Sequence, residues 1–219
     1  MSVHLQREIE RLKKNLLALC ALVEEQVQMA VRALLERDPE LARRVEHRDL
    51  EIDHREVEVE EECLKALALH QPVASDLRLI VSAMKMNSDL ERIGDLAVNI
   101  AHKAVTVAGQ APMAIPFDLA AMWQKTQRML RDSLDALVNL DARLAHDVCA
   151  RDNEVDQLKH ENRRTAERLM QENPAQIPVL LNLLAVSRNL ERIADHATNI
   201  AEDVIYMVEG RIIRHGTGE

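Results

Sequence analysis

Four pairs of carboxylates, each four residues apart, stand out in the chain: Asp49 with Asp53, Glu91 with Asp95, Asp152 with Asp156, and Glu191 with Asp195. On an α-helix a four-residue step is about 40° of rotation and roughly 6 Å of rise, so each pair forms one stripe, which Asn99 and Asn199 extend. Glu51 and Glu154 fall between the members of two pairs. Such i, i+4 repulsion costs a helix about 0.2–0.5 kcal/mol per pair, and gathering the stripes of adjacent helices would raise carboxylate pKa values unless cations neutralise them. An all-oxygen, carboxylate-rich surface suits hard cations such as iron(III), manganese, magnesium or calcium, with zinc possible, and several carboxylates can bridge more than one ion.

A lone ExxxD is ordinarily a solvated helix face. Here the arrangement recurs on two helices in each half of the chain. Common ancestry of two duplicated halves would preserve it without any ligand, but Gly94 against Ala194 and Leu96 against His196 show that neighbouring positions have changed. A buried di-iron centre of the ferritin-like type wants Glu-x-x-His on two helices. Glu51 to His54 supplies one such motif and its counterpart is Glu154 to Gln157, so that centre is disfavoured. With five Gly there is little backbone for a phosphate cradle, and no nucleophile elbow, P-loop or dinucleotide fingerprint occurs. The nine His are scattered; His196 could join a cluster beside Asp195 but is more simply a surface or satisfied core residue, and Met84 and Met86 are core filler.

The elements that must position the acids are helices. Leu5, Ile9, Leu12, Leu16, Leu19, Val23, Val27, Ala30 and Leu34 recur at steps of three and four and mark one long amphipathic helix ending near Asp38-Pro39. Asp38 as N-cap with Pro39 at the first position opens a second helix to about Leu69, Pro72 closes it, and a third runs from about Val73 to Ala108. GQAPMAIP then breaks the pattern. Helices from about Leu119 to Asn139, from Asp141 to near Glu172, and from beyond Asn173-Pro174 to about Glu209 repeat the plan. DLEID at Asp49 matches DNEVD at Asp152, while LERIGDLAVNIA at Leu90 matches LERIADHATNIA at Leu190. The expected fold is all-α: two tandem antiparallel three-helix bundles from an internal duplication, residues 1–108 and 118–219, joined by a linker over 109–117. In this scheme Ile93, Ala97, Ile100 and Ala104 oppose the acidic stripe, which leaves the acids on an outer side or groove.

Composition excludes several functions. The chain has 219 residues, 30% charged, with a formal net charge of −9 and three aromatic side chains, Phe117, Trp123 and Tyr206. It lacks both the basic footprint of a duplex binder and the stacking aromatics of a single-strand binder, so nucleic acid is not expected as a partner. Cys20, Cys63 and Cys149 form no C-x-x-C pair, which fits reduced cytosol better than a disulfide framework or zinc knuckle. The start, MSVHLQREIERLKK, offers no apolar signal core, and the longest apolar stretch, IPVLLNLLAV from Ile177, is about half the roughly 20 residues of a spanning helix. That run is wider than one seam needs, which fits either a dimer or partner contact or simple core burial.

PVASDLRLI from Pro72, together with LERIGDLAVNIA and NLERIADHATNIAEDVI, resembles the PhoU family of phosphate-uptake regulators, and the resemblance covers essentially the whole chain. It implies two three-helix bundles related by a pseudo-twofold axis. It also implies multinuclear iron or zinc clusters on E/D-x-x-x-D motifs, which map onto Asp49 and Asp53, Glu91 and Asp95, Asp152 and Asp156, and Glu191 and Asp195. The function implied is non-catalytic: negative regulation of the phosphate regulon through a sensor histidine kinase and the ATPase subunit of a high-affinity phosphate ABC transporter. A homodimer in the cytoplasm, touching the inner membrane only through partners, is the matching expectation. The competing reading is a carboxylate-bridged metalloenzyme or metal store, and a metal-free helical scaffold is the plainest.

Overall fold

The computed structural model describes residues 3–111 and 113–211 and is built from six long helices: α1 (Val3–Glu36), α2 (Pro39–His70), α3 (Ala74–Ala108), α4 (Leu119–Asn139), α5 (Ala142–Glu172) and α6 (Ile177–Glu209). Pro112, expected in the linker, lies outside the described residues. The start of α2 follows from its cap: the Asp38 side chain accepts from the backbone N–H groups of Glu40 and Leu41, and Pro39 needs no donor there. Asp141 repeats the device at α5, accepting from Leu144, and Asp118 caps α4 by accepting from Ala121. The turns before α2 and α5 each place one residue in the left-handed region, Arg37 (φ 54°) and Leu140 (φ 50°). Arg37 also caps the far end of α3, donating from Nη2 to the carbonyls of Val107 (2.7 Å) and Gln110 (2.6 Å). A short 3₁₀ turn, Pro174–Gln176, sits between α5 and α6 where the sequence pattern showed only a break.

Helices α1, α2 and α3 form one bundle and α4, α5 and α6 the other. The periodic stripe of the first helix, from Leu5 through Leu34, is buried throughout. The two bundles pack side by side, with α3 against α6 as the most extensive helix pair of the molecule. Both helices are apolar around most of their circumference, so each covers its own bundle and the neighbouring one. The run from Ile177 is explained by this: Leu180, Leu183 and Val186 are buried, while Leu181 remains exposed, so the run is core and lends no support to a homodimer. Polar ties cross the seam as well. His196 Nδ1 donates to Asp89 Oδ1 at 2.7 Å, Asn199 Nδ2 donates to the same oxygen at 3.2 Å, and Arg131 pairs with Glu24 at 3.0 Å.

Candidate functional site: two acidic clusters

Ile93, Ala97, Ile100 and Ala104 of α3 are buried, and this turns Asp95 to the surface and Glu91 to its edge, with Asp49 and Asp53 beside them on α2. The four carboxylates share one field. Burial pushes the Asp49 carboxyl up, a hydrogen bond from Gln26 opposes this, and the charges of Asp53 and Asp95 add to the rise. Glu91 is raised by burial and by Asp95, Glu56 and Asp53 against the pull of Arg92. Glu56, on the next turn of α2, is raised by burial, Glu60 and Asp53. Buried Asn87 donates to the Glu56 carbonyl at 2.8 Å and to its Oε1 at 3.1 Å, fixing that side chain against α3.

Gln26 of α1, fully buried, forms the floor of this cluster. Its Nε2 donates to Asp49 Oδ1 at 2.9 Å and to the Val45 carbonyl at 3.3 Å, and its Oε1 has no hydrogen-bond partner among the described residues. Gly94 makes room for both groups: a Cβ there would meet Asp49 Oδ1 and Gln26 Oε1 at 3.4 Å each. The second cluster is built differently. Asp152 is raised by burial and by Asp156 and Glu191, while Thr198 donates to its Oδ1 at 3.3 Å. Asp195 is pushed up to about 6 by burial and by Glu191, Asp152 and Asp156, against the pull of Lys159. Lys159 Nζ donates to Asp156 Oδ1 at 2.8 Å and to Glu191 Oε1 at 2.6 Å.

Each expected set is therefore brought together on its helix pair. As the side chains stand, no three His, Cys, Asp or Glu among the described residues converge tightly enough to hold a metal ion. Among the neighbouring polar residues, Asn199 departs from the sequence expectation and two others lie outside the clusters. Glu154, between Asp152 and Asp156 in sequence, pairs with Lys125 of α4, which lowers its pKa. Asn199 does not extend the stripe of Glu191 and Asp195 but crosses to Asp89, because α6 faces the other bundle there. His196 joins the bundles as a satisfied, largely buried residue, the simpler of its two expected readings. Glu56, Lys159 and Gln26 were missed. The first two were visible by carrying the DLEID and DNEVD match one turn further, to E and K; Gln26 gave no signal, as one amide on an otherwise apolar stripe.

Two parallel copies of a three-helix bundle, each with paired carboxylates from its second and third helices, define a duplicated helical protein with an acidic surface on each half. A family model described as the PhoU domain matches residues 16–104 and again 119–204. The chain is 41% identical over 217 residues, 98% of its length and 89% of the other's, to the phosphate-specific transport system accessory protein PhoU homolog of Pseudomonas aeruginosa. To the corresponding Escherichia coli protein, PhoU, it is 34% identical over 97% of this chain and 88% of that one. The crystal structure of PhoU from P. aeruginosa superposes with a TM-score of 0.90 at 41% identity, covering 94% of this chain and 99% of that one. The phosphate transport system regulatory protein PhoU from Streptococcus pneumoniae gives 0.84 at 30% identity, over 95% and 98%. The chain belongs to the PhoU family.

Proposed function

We propose that this chain is a phosphate-regulon regulator of the PhoU type, a non-catalytic adaptor between a phosphate ABC transporter ATPase and a sensor histidine kinase. The observation that carries this is the match of the family model to both halves, together with relatives aligned along nearly the whole chain. The outer face of α2 supports a docking role. Leu50, Val57 and Leu64 are 60%, 50% and 51% exposed and lie seven residues apart, two helical turns, along one line. The matching positions of α5 are Asn153, His160 and Glu167, so this apolar line belongs to one half alone. Deletion of the gene in its own host tests the role. Phosphatase expression that becomes constitutive in high phosphate, and is restored by the wild-type chain, is the expected result; regulation unchanged by deletion rejects it.

The metal part of this proposal places an iron or zinc cluster on Asp49, Asp53, Glu91 and Asp95, with Asp152, Asp156, Glu191 and Asp195 as the second candidate set. The first set fits such a group: its donors are all oxygens, the cation beside it is the exposed Arg92, 3.7 Å from Glu91, and burial, reinforced by the neighbouring carboxylates, raises the pKa of Asp49 and Glu91. Oxygen donors without His or Cys favour iron(III) over zinc. A bound ion there would neutralise the repulsion and tie α2 to α3, fixing the face that partners meet. Metal analysis of protein purified from its host checks this, and stoichiometric iron or zinc lost on Asp95→Asn is the expected result.

A further inference from the structure

The match that superposes Asp49 on Asp152 and Asp53 on Asp156 also superposes Glu56 on Lys159. The charge at that position is therefore opposite in the two halves. Lys159 Nζ lies 2.8 Å from Asp156 of its own helix and 2.6 Å from Glu191 of α6, so one ammonium bridges the two helices that a metal ion would bridge. It brings a full positive charge and three donors, and it occupies one oxygen of each of two candidate ligands. In the first half the same turn of α2 adds an acid, Glu56, held by Asn87.

The floor beneath each cluster differs in the same sense. Gly94 leaves Asp49 Oδ1 and the unpartnered, fully buried Gln26 Oε1 at the first cluster, each 3.4 Å from where a Cβ would lie. The second half has Ala194 in place of Gly94, Met129 in place of Gln26, and Thr198 already donating to Asp152. Asp49 and Asp152 each accept one hydrogen bond, from Gln26 Nε2 and Thr198, but the first cluster also holds the unpartnered Gln26 Oε1, where the second half has a methionine.

We propose that the two acidic clusters are not equivalent: Lys159 supplies the counter-charge of the second from within the chain, and only the first, on Asp49, Asp53, Glu91 and Asp95, takes up a metal cation. The claim for the first cluster rests on the metal reading given above; the claim for Lys159 does not. Full-length protein stripped with chelator and titrated with Mn²⁺ separates them. Uptake is expected to vanish in the E91Q/D95N double variant, to persist in E191Q/D195N, and to roughly double in K159E. K159M is expected to lower the melting temperature of the metal-free protein by a few degrees, since it strands Asp156 and Glu191 without their partner. Wild-type stoichiometry halved by E191Q/D195N, or no added uptake in K159E while the first cluster binds, overturns the proposal. No Mn²⁺ uptake by the wild type overturns the metal reading and the claim for the first cluster; an unchanged melting temperature in K159M overturns the role of Lys159.

Discussion

Replacing Asp195 by Asn should make the metal-free protein more stable at neutral pH, and the gain should disappear in acid. In the folded chain the carboxyl is raised from 3.8 to about 6 by burial and by Glu191, Asp152 and Asp156. A raised acid binds more protons folded than unfolded between those two values, so its ionisation erodes stability as pH rises through that window. At about 1.4 kcal/mol per pH unit the full shift is worth about 3 kcal/mol. Asp195 opens to solvent, so screening reduces this to about 1–1.5 kcal/mol. Urea melts of wild type and D195N, stripped of metal, should differ by that amount at pH 7.5 and by about a third of it at pH 4.5, where most of the folded protein carries the proton already. A destabilised D195N at pH 7.5, or an equal difference at both pH values, would refute the picture of crowded, partly repelling carboxylates.

Other consequences follow from the packing. Leu64→Glu on the exposed face of α2 should leave unfolding within about 0.5 kcal/mol of wild type while abolishing co-purification of the transporter ATPase or the kinase, read by affinity capture from host extract. His196→Ala should cost about 1–2 kcal/mol in a denaturant melt, because Asp89 is 14% exposed and keeps, among the described residues, the 3.2 Å bond from Asn199 alone. Asp38→Ala should cost about 1 kcal/mol in the same assay through loss of the α2 cap, with no change in metal content.

The fold was legible because its signals are local. Apolar spacing in α1, Asp-Pro at Asp38, Asp141 before α5, and the two repeats each fix an element without knowledge of its neighbours. The short 3₁₀ turn at Pro174 escaped, since a three-residue helix has no periodicity to detect. All eight acids were legible on the same ground, as spacing on one helix determines which side chains share a stripe. Their surroundings were not. Whether Asn199 faces the acids or Asp89, and whether Glu154 stays or turns to Lys125, depends on how α6 and α4 pack, which no window of sequence contains. The side-by-side seam of α3 and α6 was hidden for a related reason: an apolar helix surface does not say which of two bundles it covers.

The inequality of the two acidic clusters turns on where positive charge resides in the native protein. Anomalous diffraction from crystals of material purified out of its own host, without added metal, locates that charge directly. Peaks beside Asp49, Asp53, Glu91 and Asp95, with Lys159 still bridging Asp156 and Glu191 and no peak there, are expected. Equal peaks on both halves, or none on either, would contradict it.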